Sequence, residues 1–315
     1  MRMRLHFAIF LPTAFAAVLL FCGTSWAETA APTGEEKPSL SLFQAAVLGV
    51  VEGTTEYLPV SSTGHLLLVQ RWLGMSGDEE SESRSAADAF AIVIQAGAIL
   101  AVLGLFRRRF RGMALGLAGK DKDGLLMLRN VLIAFIPAAV LGFLLEHKVK
   151  EYLYGPLPIA GALFVGGIAI FAAAAWRRNK PEGISLEEMG LRAAIIIGIA
   201  QSIAICPGVS RSLATILGGL AAGLTLGAAV EFSFLLGFVT LAAATGYETM
   251  KEGSRILGAY GWISPVVGFV VAFLTAIVAV KWMVSYLQSH GLAVFGVYRI
   301  ALAVAIVTLV VMGLL

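Results

Sequence analysis

The chain has 315 residues, of which 58% are hydrophobic and 14% charged, and its formal net charge is +3. Soluble domains carry roughly a quarter charged residues, so this chain has too few charges to cover a water-facing surface. That excludes an ordinary soluble enzyme, a disordered protein and a nucleic-acid-binding protein, since the last needs a stronger basic patch. The two cysteines form neither a disulfide framework nor a zinc-finger pattern. A mean hydropathy of +0.87, with 35 Gly and 10 Pro, indicates membrane helices that are broken inside the bilayer.

The N-terminal residues have the pattern of a secretory signal peptide. Residues 1–27 begin with two arginines, continue as an apolar run and end on small residues. This pattern predicts cleavage after Ala27. An uncleaved first transmembrane helix is the alternative, because the apolar run is long and is interrupted by Pro12. Residues 28–40 are predicted to be a polar lead-in, and residues 41–315 a single membrane-embedded catalytic domain.

Six apolar runs are long enough to cross a bilayer, for which a helix needs about 20 residues. They lie near residues 87–106, 129–147, 158–176, 227–248, 262–282 and 293–315. Two further apolar regions, 41–73 and 190–224, are interrupted midway by polar residues and by Pro59 and Pro207. Because proline disrupts a helix, each region is predicted to be two short helices with a break. A broken backbone at membrane depth has to be buried or face a wet cavity, so both regions are predicted to be re-entrant hairpins.

The distribution of charge between the spans predicts the orientation in the membrane. Segments 107–129 and 177–192 are rich in arginine and lysine, whereas segment 78–88 is acidic. The basic segments are expected in the cytoplasm and the acidic one outside. Counting spans then places both ends of the mature chain outside, with the first hairpin entering from outside and the second from the cytoplasm.

The two interrupted regions are related by an internal repeat with a shift of 149 residues. The superposed positions are Gly49 with Gly198, Glu52 with Gln201, and Ser61 with Ser210. Two halves, about 41–176 and 190–315, each with one hairpin and three spans, predict an all-α integral membrane protein with an inverted-topology repeat. In such folds the ligand site lies near the repeat interface, where broken helices direct their positive N-termini at anionic groups.

Serines stand at both breaks, where they can act as helix caps. Ser61 or Ser62 is expected to cap the helix after the first break, and Ser210 the helix after the second. With two helix N-termini facing each other, an anion fits between them, and phosphate is the simplest candidate.

Two carboxylates precede the first break. Glu52 and Glu56 are four residues apart and therefore lie on one face of a helix. Acidic side chains in an apolar segment are costly, so they are expected to face a cavity and share a cation. Their oxygen ligands favour Mg²⁺ or Ca²⁺, with Mg²⁺ taking further ligands from substrate phosphates. The alternative is an acidic pair at a helix end without a ligand.

The first break is followed by a possible nucleophile and base. Ser62 and His65 are three residues apart, within side-chain reach if the second short helix has begun. A hydroxyl beside an imidazole is a nucleophile–base arrangement, and the histidine could instead protonate a leaving phosphate. A structural histidine is the alternative. Ser61, Thr63 and Ser212 are expected to cap helices or bind phosphate oxygens.

Arg211 stands beside the second break. A guanidinium binds phosphate in a bidentate manner and stays charged where hydration is poor. With Ser210 and the helix N-terminus it is predicted to form an anion clamp, whereas an arginine that extends to the membrane surface is the alternative. Glu231 and Arg299 lie at similar depths in their spans and are predicted to form a structural ion pair.

These two motifs resemble those of the undecaprenyl-diphosphate phosphatase family of the bacitracin-resistance type. The first motif is EGTTEYLPVSSTGH, from Glu52 to His65, and the second is PGVSRSLAT, from Pro207 to Thr215. Both are long and stand in the family's order, and the resemblance extends from about residue 40 to the end of the chain. The stretch 1–40 is a departure, because family members often lack it.

The resemblance implies hydrolysis of the C55 isoprenyl diphosphate to its monophosphate, which recycles the lipid carrier of peptidoglycan synthesis and confers bacitracin resistance. It also implies a divalent metal, residence in the bacterial inner membrane and a site open to the periplasm. Matched by position, the acidic pair is Glu52 and Glu56, the Ser/His pair is Ser62 and His65, and the phosphate-binding residues are Arg211 with Ser210 and Thr215. Whether Ser62 or water attacks the terminal phosphorus is open, as is whether Glu56 or His65 is the base.

Two other functions compete with hydrolysis. Inverted repeats with broken helices are also a transporter architecture, so a transporter or flippase of a polyprenyl phosphate is the main alternative. A purely structural scaffold would leave the buried polar groups without a purpose. The expected partners are the polyprenyl diphosphate and membrane lipids, with no nucleic acid. A homodimer is compatible with the sequence, which does not fix the oligomeric state.

Overall fold

The computed structural model describes residues 40–75, 82–178 and 182–315, and their regular structure is helical. Eleven α-helices are described, α1 to α11. They are α1 Leu42–Thr55, α2 Ser62–Trp72, α3 Glu82–Leu105, α4 Arg107–Leu117, α5 Lys122–Leu153, α6 Pro156–Arg177, α7 Leu191–Ser202, α8 Arg211–Ala221, α9 Leu226–Tyr260, α10 Ile263–Leu287 and α11 Ala293–Val311. A short 3₁₀ helix, Ile203–Ile205, extends α7. The predicted signal peptide and nearly all of the predicted lead-in lie outside the described residues.

The described helices include five that are long and apolar enough to cross a membrane. These are Lys122–Leu145, Pro156–Arg177, Leu226–Lys251, Ile263–Leu287 and Ala293–Val311. The pair Phe90–Leu105 and Arg107–Leu117, bent by 79°, is a sixth candidate if it is counted as one span. The bend lies where an apolar run meets a cluster of arginines. Each of the six predicted apolar runs falls on one of these helices, which confirms the all-α membrane class.

Both interrupted regions are helix–break–helix units, as predicted from their prolines. The first break separates α1 from α2, and the second separates the 3₁₀ extension of α7 from α8. Among the described residues, Ser61 and Ser210 are the only residues other than glycine with positive φ, at 72° and 73°. They are repeat counterparts, so the two breaks share an unusual backbone conformation as well as a sequence pattern. That the units re-enter the membrane stays a prediction.

Helix packing follows the repeat. In one half α1 packs on α10, and its counterpart α7 packs on α5, so each hairpin lies against the middle span of the other half. The first spans pack together as α3 and α9, and the third spans as α6 and α11. Ile159, Leu163 and Ile306 belong to the buried cluster between the third spans. These exchanged contacts support the predicted two-fold repeat.

Glycines at repeat-related positions let the hairpins approach these middle spans. A Cβ added to Gly49 would lie 2.5 Å from the carbonyl oxygen of Gly268, and one added to Gly198 would lie 2.7 Å from that of Ala134. Both distances are shorter than van der Waals contact, and the opposing atoms are main-chain atoms that cannot move independently. The repeated glycine is therefore a packing requirement in both halves.

Glu231 and Arg299 do not pair with each other. Glu231 accepts a hydrogen bond from Nε of Arg109 at 2.7 Å, and Nη2 of Arg109 bonds to Glu187, also at 2.7 Å. The hydrogen bond from Arg109 lowers the pKa of the Glu187 carboxyl. Arg299 instead donates to main-chain carbonyls. The predicted ion pair between Glu231 and Arg299 is wrong. The prediction compared the depths of the two residues along their spans but not the directions in which their side chains leave the helices.

Replacing either repeat glycine by alanine is expected to destabilise the protein. The added methyl group has to displace main-chain atoms of the facing helix, and overpacking of this kind costs about 1–3 kcal/mol. The measurement is thermal unfolding of purified Gly49→Ala and Gly198→Ala variants in detergent.

Gly161→Ala is the matched control, because a Cβ at that helical position would meet no atom within 4 Å. Its stability should equal or exceed that of the wild type, since alanine favours a helix by about 1 kcal/mol over glycine. Equal unfolding temperatures for all three variants would contradict the packing role.

Candidate active site

The two sequence motifs meet where the breaks lie side by side. The hydroxyl of Ser212, in the first turn of α8, donates to the carbonyl oxygen of Leu58 in the first break at 2.8 Å. Nη2 of Arg211 donates to Oε1 of Glu56 at 3.2 Å. Residues some 155 positions apart in sequence therefore form one cluster, as the repeat predicted.

Glu56 is the centre of this cluster. It follows the last residue of α1, and its side chain is 7% exposed. Oε2 accepts a hydrogen bond of 2.5 Å from the hydroxyl of Ser62, and Oε1 accepts the bond from Arg211. One carboxylate thus links a hydroxyl to a guanidinium. Because a carboxylate accepts protons, Glu56 is placed to take the proton of Ser62.

Arg211 is held on several sides but keeps one donor free. Nη1 donates to the carbonyl oxygen of Ser233 in α9 at 3.3 Å, and the guanidinium carbon lies 5.3 Å from the centre of the Tyr57 ring. A Cβ at Gly237 would be 2.0 Å from Nη1, so the absence of a side chain there makes room for the arginine. Nε is buried and has no hydrogen-bond partner among the described residues. The ring of Tyr57 is in turn held edge-on by Phe234.

Unpartnered polar atoms cluster in the same part of the protein. Of the four buried side-chain atoms without a hydrogen-bond partner in the described part of the chain, three belong to Arg211 (Nε), Glu52 (Oε2) and Tyr57 (the hydroxyl), and the fourth is Nε2 of Gln201. Glu52 lies one turn before Glu56 on α1 and is 1% exposed. A buried polar group without a partner costs about 1–3 kcal/mol, so three of them together indicate a site that a polar ligand completes.

The donor set for a metal at this site is small. Within the described residues there is no group of three or more histidine, cysteine or acidic side chains that could hold a metal ion. Glu56 already bonds through both oxygens, whereas Glu52 retains one that is unpartnered. These two carboxylates fit a hard divalent cation that takes its remaining ligands from water and phosphate oxygens.

His65 is engaged by other partners than Ser62 at both ring nitrogens. Nδ1 lies 2.7 Å from the carbonyl oxygen of Ser61, and Nε2 lies 2.7 Å from the hydroxyl of Tyr298 in α11. The rings of His65 and Tyr298 are nearly parallel, with their centres 5.6 Å apart. The hydroxyl of Ser62 bonds to Glu56 instead. The geometry therefore favours Glu56 over His65 as the proton acceptor for Ser62.

The predicted phosphate-binding residues surround this cluster. Ser210 caps α8, with its hydroxyl accepting from the amide of Leu213 at 3.3 Å, as predicted. Ser61 stands at the cap position of α2, but its side chain forms no capping hydrogen bond. Thr63 is partly exposed in the first turn of α2. Thr215 is buried one turn into α8, and its hydroxyl lies 2.9 Å from the Arg211 carbonyl and 2.6 Å from the Ser233 hydroxyl.

Four further residues of the site were not found from the sequence, namely Tyr57, Ser233, Tyr298 and Arg299. Tyr57 stands inside the first motif next to Glu56, so its position was the available signal. Ser233 is two residues from Glu231, which was predicted to form a structural ion pair. Tyr298 and Arg299 lie in the last span, where nothing in the pattern connects them to the breaks.

Comparisons with known proteins identify the family of the chain. The model of the bacitracin resistance protein BacA family matches residues 45–305. A Sorangium cellulosum protein named undecaprenyl-diphosphatase is 44% identical over 270 residues, which cover 85% of this chain and 86% of that protein. Undecaprenyl-diphosphatase 2 of Rhodospirillum rubrum is 44% identical over 84% of this chain and 93% of its own length, and the undecaprenyl-diphosphatase of Aquifex aeolicus is 40% identical over 82% and 94%. The chain is a multi-pass membrane protein, and it belongs to the BacA family of bacitracin resistance proteins.

Proposed function

We propose that this protein is an undecaprenyl-diphosphatase, which removes the terminal phosphate of the C55 isoprenyl diphosphate and returns the monophosphate lipid carrier to peptidoglycan synthesis. The relatives that carry this name cover most of the chain at 40–44% identity. The structural observation that carries the proposal is the buried Ser62–Glu56–Arg211 cluster with unpartnered polar atoms beside it. Pure transport does not require a hydroxyl bonded to a carboxylate.

Ser62 is proposed to be the nucleophile and Glu56 its base. The Ser62 oxygen forms a bond to the terminal phosphorus while its proton passes to Glu56. The bond between this phosphorus and the bridging oxygen breaks, and the lipid monophosphate leaves. Water then attacks the phosphoserine and releases inorganic phosphate. Direct attack by water, with Glu56 as its base, is the alternative.

Arg211 is proposed to stabilise the charge that develops on the transferred phosphoryl group. Its unpartnered Nε is available to a phosphate oxygen, and a guanidinium offers two parallel donors to such a group. Because Ser61 does not cap α2 with its side chain, the amide groups of that helix N-terminus are also available to an anion. Ser210, Thr63 and Thr215 are proposed to complete the phosphate-binding surface.

A divalent cation, Mg²⁺ or Ca²⁺, is proposed to be held by Glu52 and Glu56. When bound, it supplies positive charge that neutralises the diphosphate. The unpartnered oxygen of Glu52 supports this role. Since two carboxylates make an incomplete ligand set, tight binding is expected to require the substrate.

The proposed location is the bacterial inner membrane, with the site open to the periplasm. The distribution of basic residues between spans supports this orientation, since they concentrate in segments 107–129 and 177–192. The homodimer that the sequence allows stays a prediction.

Arg211→Ala and Arg211→Lys are expected to lower kcat/KM for phosphate release from C55 diphosphate by about 100-fold or more, because donors aimed at developing charge contribute on this scale. The assay uses purified protein in detergent micelles. Without two compartments a transporter cannot produce a signal, so phosphate release also separates hydrolysis from transport.

Arg71→Ala is the matched control, since Arg71 is an exposed arginine at the end of α2. Its rate should stay within about twofold of the wild type, as for most exposed substitutions. Absence of phosphate release by the wild type would contradict the proposed function, and a near-normal rate in Arg211→Ala would contradict the assigned site.

The proposed nucleophile predicts a phosphoserine during turnover. Acid quenching of a reaction with terminally ³²P-labelled C55 diphosphate should leave label on a peptide that contains Ser62. Ser62→Ala should show neither label nor activity, whereas Ser289→Ala, which changes an exposed serine, should show both. An active but unlabelled Ser62→Ala variant would favour attack by water.

Removal of divalent cations with a chelator is expected to abolish phosphate release, and Mg²⁺ or Ca²⁺ should restore it. Binding of Mn²⁺, followed by electron paramagnetic resonance, should be tight only when a non-hydrolysable diphosphate is present. Glu52→Gln should weaken this binding, and Glu188→Gln, which alters an exposed acid, should not. Full activity in excess chelator would rule out the metal.

A further inference from the structure

Arg299 is a buried arginine that binds only main-chain carbonyls in the described part of the chain. Its guanidinium is 0% exposed and lies within the last span. It donates to carbonyl oxygens of both breaks and of α6: Pro59 at 3.3 Å, Gly208 at 2.9 Å, Val209 at 3.2 Å, Ala162 at 3.1 Å and Leu163 at 3.3 Å. Five donors in a fixed fork suit arginine to this task. One side chain therefore connects the first break, the second break and a third span.

The burial of this charge is costly, and the surrounding helices are shaped for it. A Cβ at Gly166 would lie 2.2 Å from Nη2 of Arg299, so only glycine leaves room for the guanidinium. Burying an ion without a counter-ion is unfavourable, and ionisable groups inside membrane helices are usually functional. The stability of the fold alone therefore does not explain why an arginine is buried at this position.

Tyr298, the preceding residue, binds the nitrogen of His65 that faces away from the Ser61 carbonyl. The carbonyl oxygen of Ser61 can only accept, so Nδ1 of His65 is its donor. In the neutral ring Nε2 is then an acceptor, and the hydroxyl of Tyr298 donates to it. The Ser61 carbonyl thus fixes the tautomer of His65, and Tyr298 holds the imidazole in the position from which it binds that carbonyl.

These contacts orient the peptides next to the two strained serines. In a trans peptide the N–H points opposite to the C=O. His65 binds the carbonyl of Ser61, so the amide of Ser62 points away from the imidazole. Arg299 binds the carbonyl of Val209, so the amide of Ser210 points away from the guanidinium.

The positive φ of Ser61 and Ser210 needs such support. A residue other than glycine in this conformation costs about 1–3 kcal/mol and persists only where the surroundings determine it. The carbonyl contacts of His65 and Arg299 adjoin these two residues. Arg299 thus restrains the second break directly, and Tyr298 restrains the first through His65.

We infer that Tyr298 and Arg299 are positioning residues, which hold the carbonyls of both breaks on one side and leave the amides of Ser62 and Ser210 to bind the phosphoryl group on the other. The inference rests on the proposed function, because the bound anion is taken to be the substrate diphosphate. Neither residue touches the reacting atoms. Their effect reaches the reaction through the backbone.

Tyr298→Phe tests the first half of this inference. With ¹⁵N-labelled histidine, the chemical shifts of His65 should indicate the Nδ1–H tautomer in the wild type and, in the variant, an Nε2 that has lost its hydrogen bond. The chain has four histidines, so the His65 signals are assigned by their loss in His65→Gln. The variant should remain folded but show kcat lowered by about 10- to 100-fold, since small displacements near the chemistry have effects of this size.

Tyr286→Phe is the matched control, because Tyr286 also stacks on a histidine, His290, at 4.5 Å. It should retain the wild-type chemical shifts of His65 and the wild-type kcat. An Nε2–H tautomer in the wild type would overturn the inference, and so would a Tyr298→Phe variant that matches this control.

Arg299→Lys tests the second half. It keeps the charge but not the five-donor fork, so kcat should fall about 100-fold and inhibition by inorganic phosphate should weaken. Arg109→Lys is its control, since Arg109 pairs with carboxylates outside the site. Wild-type kcat and phosphate inhibition in Arg299→Lys would overturn the role of Arg299.

The proposed function and the positioning role of Tyr298 and Arg299 can be contradicted independently of each other. If the wild type releases no phosphate, the proposed function is contradicted, while the chemical shifts of His65 still test the positioning without turnover. If Arg299→Lys does not fold, the Tyr298→Phe measurements decide the inference.

Discussion

The ion pair between Arg211 and Glu56 joins the two halves of the protein, and the site is built around it. Both side chains are almost fully buried, so each would be strongly unfavourable without the other. The pair brings the end of α1 against the start of α8, and the hydroxyl of Ser62 completes the cluster by bonding to the same carboxylate. A buried charge pair of this kind contributes little to the free energy of folding, but it favours one arrangement of the two breaks over others. It specifies how the two breaks face each other.

The two-fold repeat explains why the site contains complementary chemistry. The shift that superposes Ser61 on Ser210 also superposes Ser62 on Arg211. The proposed nucleophile and the proposed anion-binding residue thus occupy the same structural position in the two halves. The same shift places Glu52 on Gln201 and His65 on Ala214. The two halves therefore share a backbone conformation at their breaks but carry different side chains there, with the proposed nucleophile in one half and the proposed anion-binding arginine in the other.

Sequence patterns predicted the framework and most of the cluster, because those features follow from periodicity and from costly residues in apolar segments. Spans, breaks and the pairing of the two motifs all follow from such local signals. The hydrogen-bond partners of individual side chains could not be predicted from such signals. The spacing of Ser62 and His65 allows a contact, but the histidine binds a carbonyl and a tyrosine from the far end of the chain.

The hydrogen-bond partners of Arg299 could not be predicted from the sequence either. They are main-chain carbonyl oxygens, which every residue carries. No pattern of side chains in the sequence indicates which carbonyl oxygens lose their helical hydrogen bonds at a break. Contacts of this type become visible only when the helices are placed in three dimensions.

The glycines opposite the two buried arginines have a consequence for how such a protein can vary. Gly237 faces Arg211, and Gly166 faces Arg299, each at a distance that leaves no space for a methyl group. Neither guanidinium can move aside without giving up its hydrogen bonds. Each glycine and its arginine therefore form a pair that can only change together, because any side chain at the glycine position would displace the guanidinium.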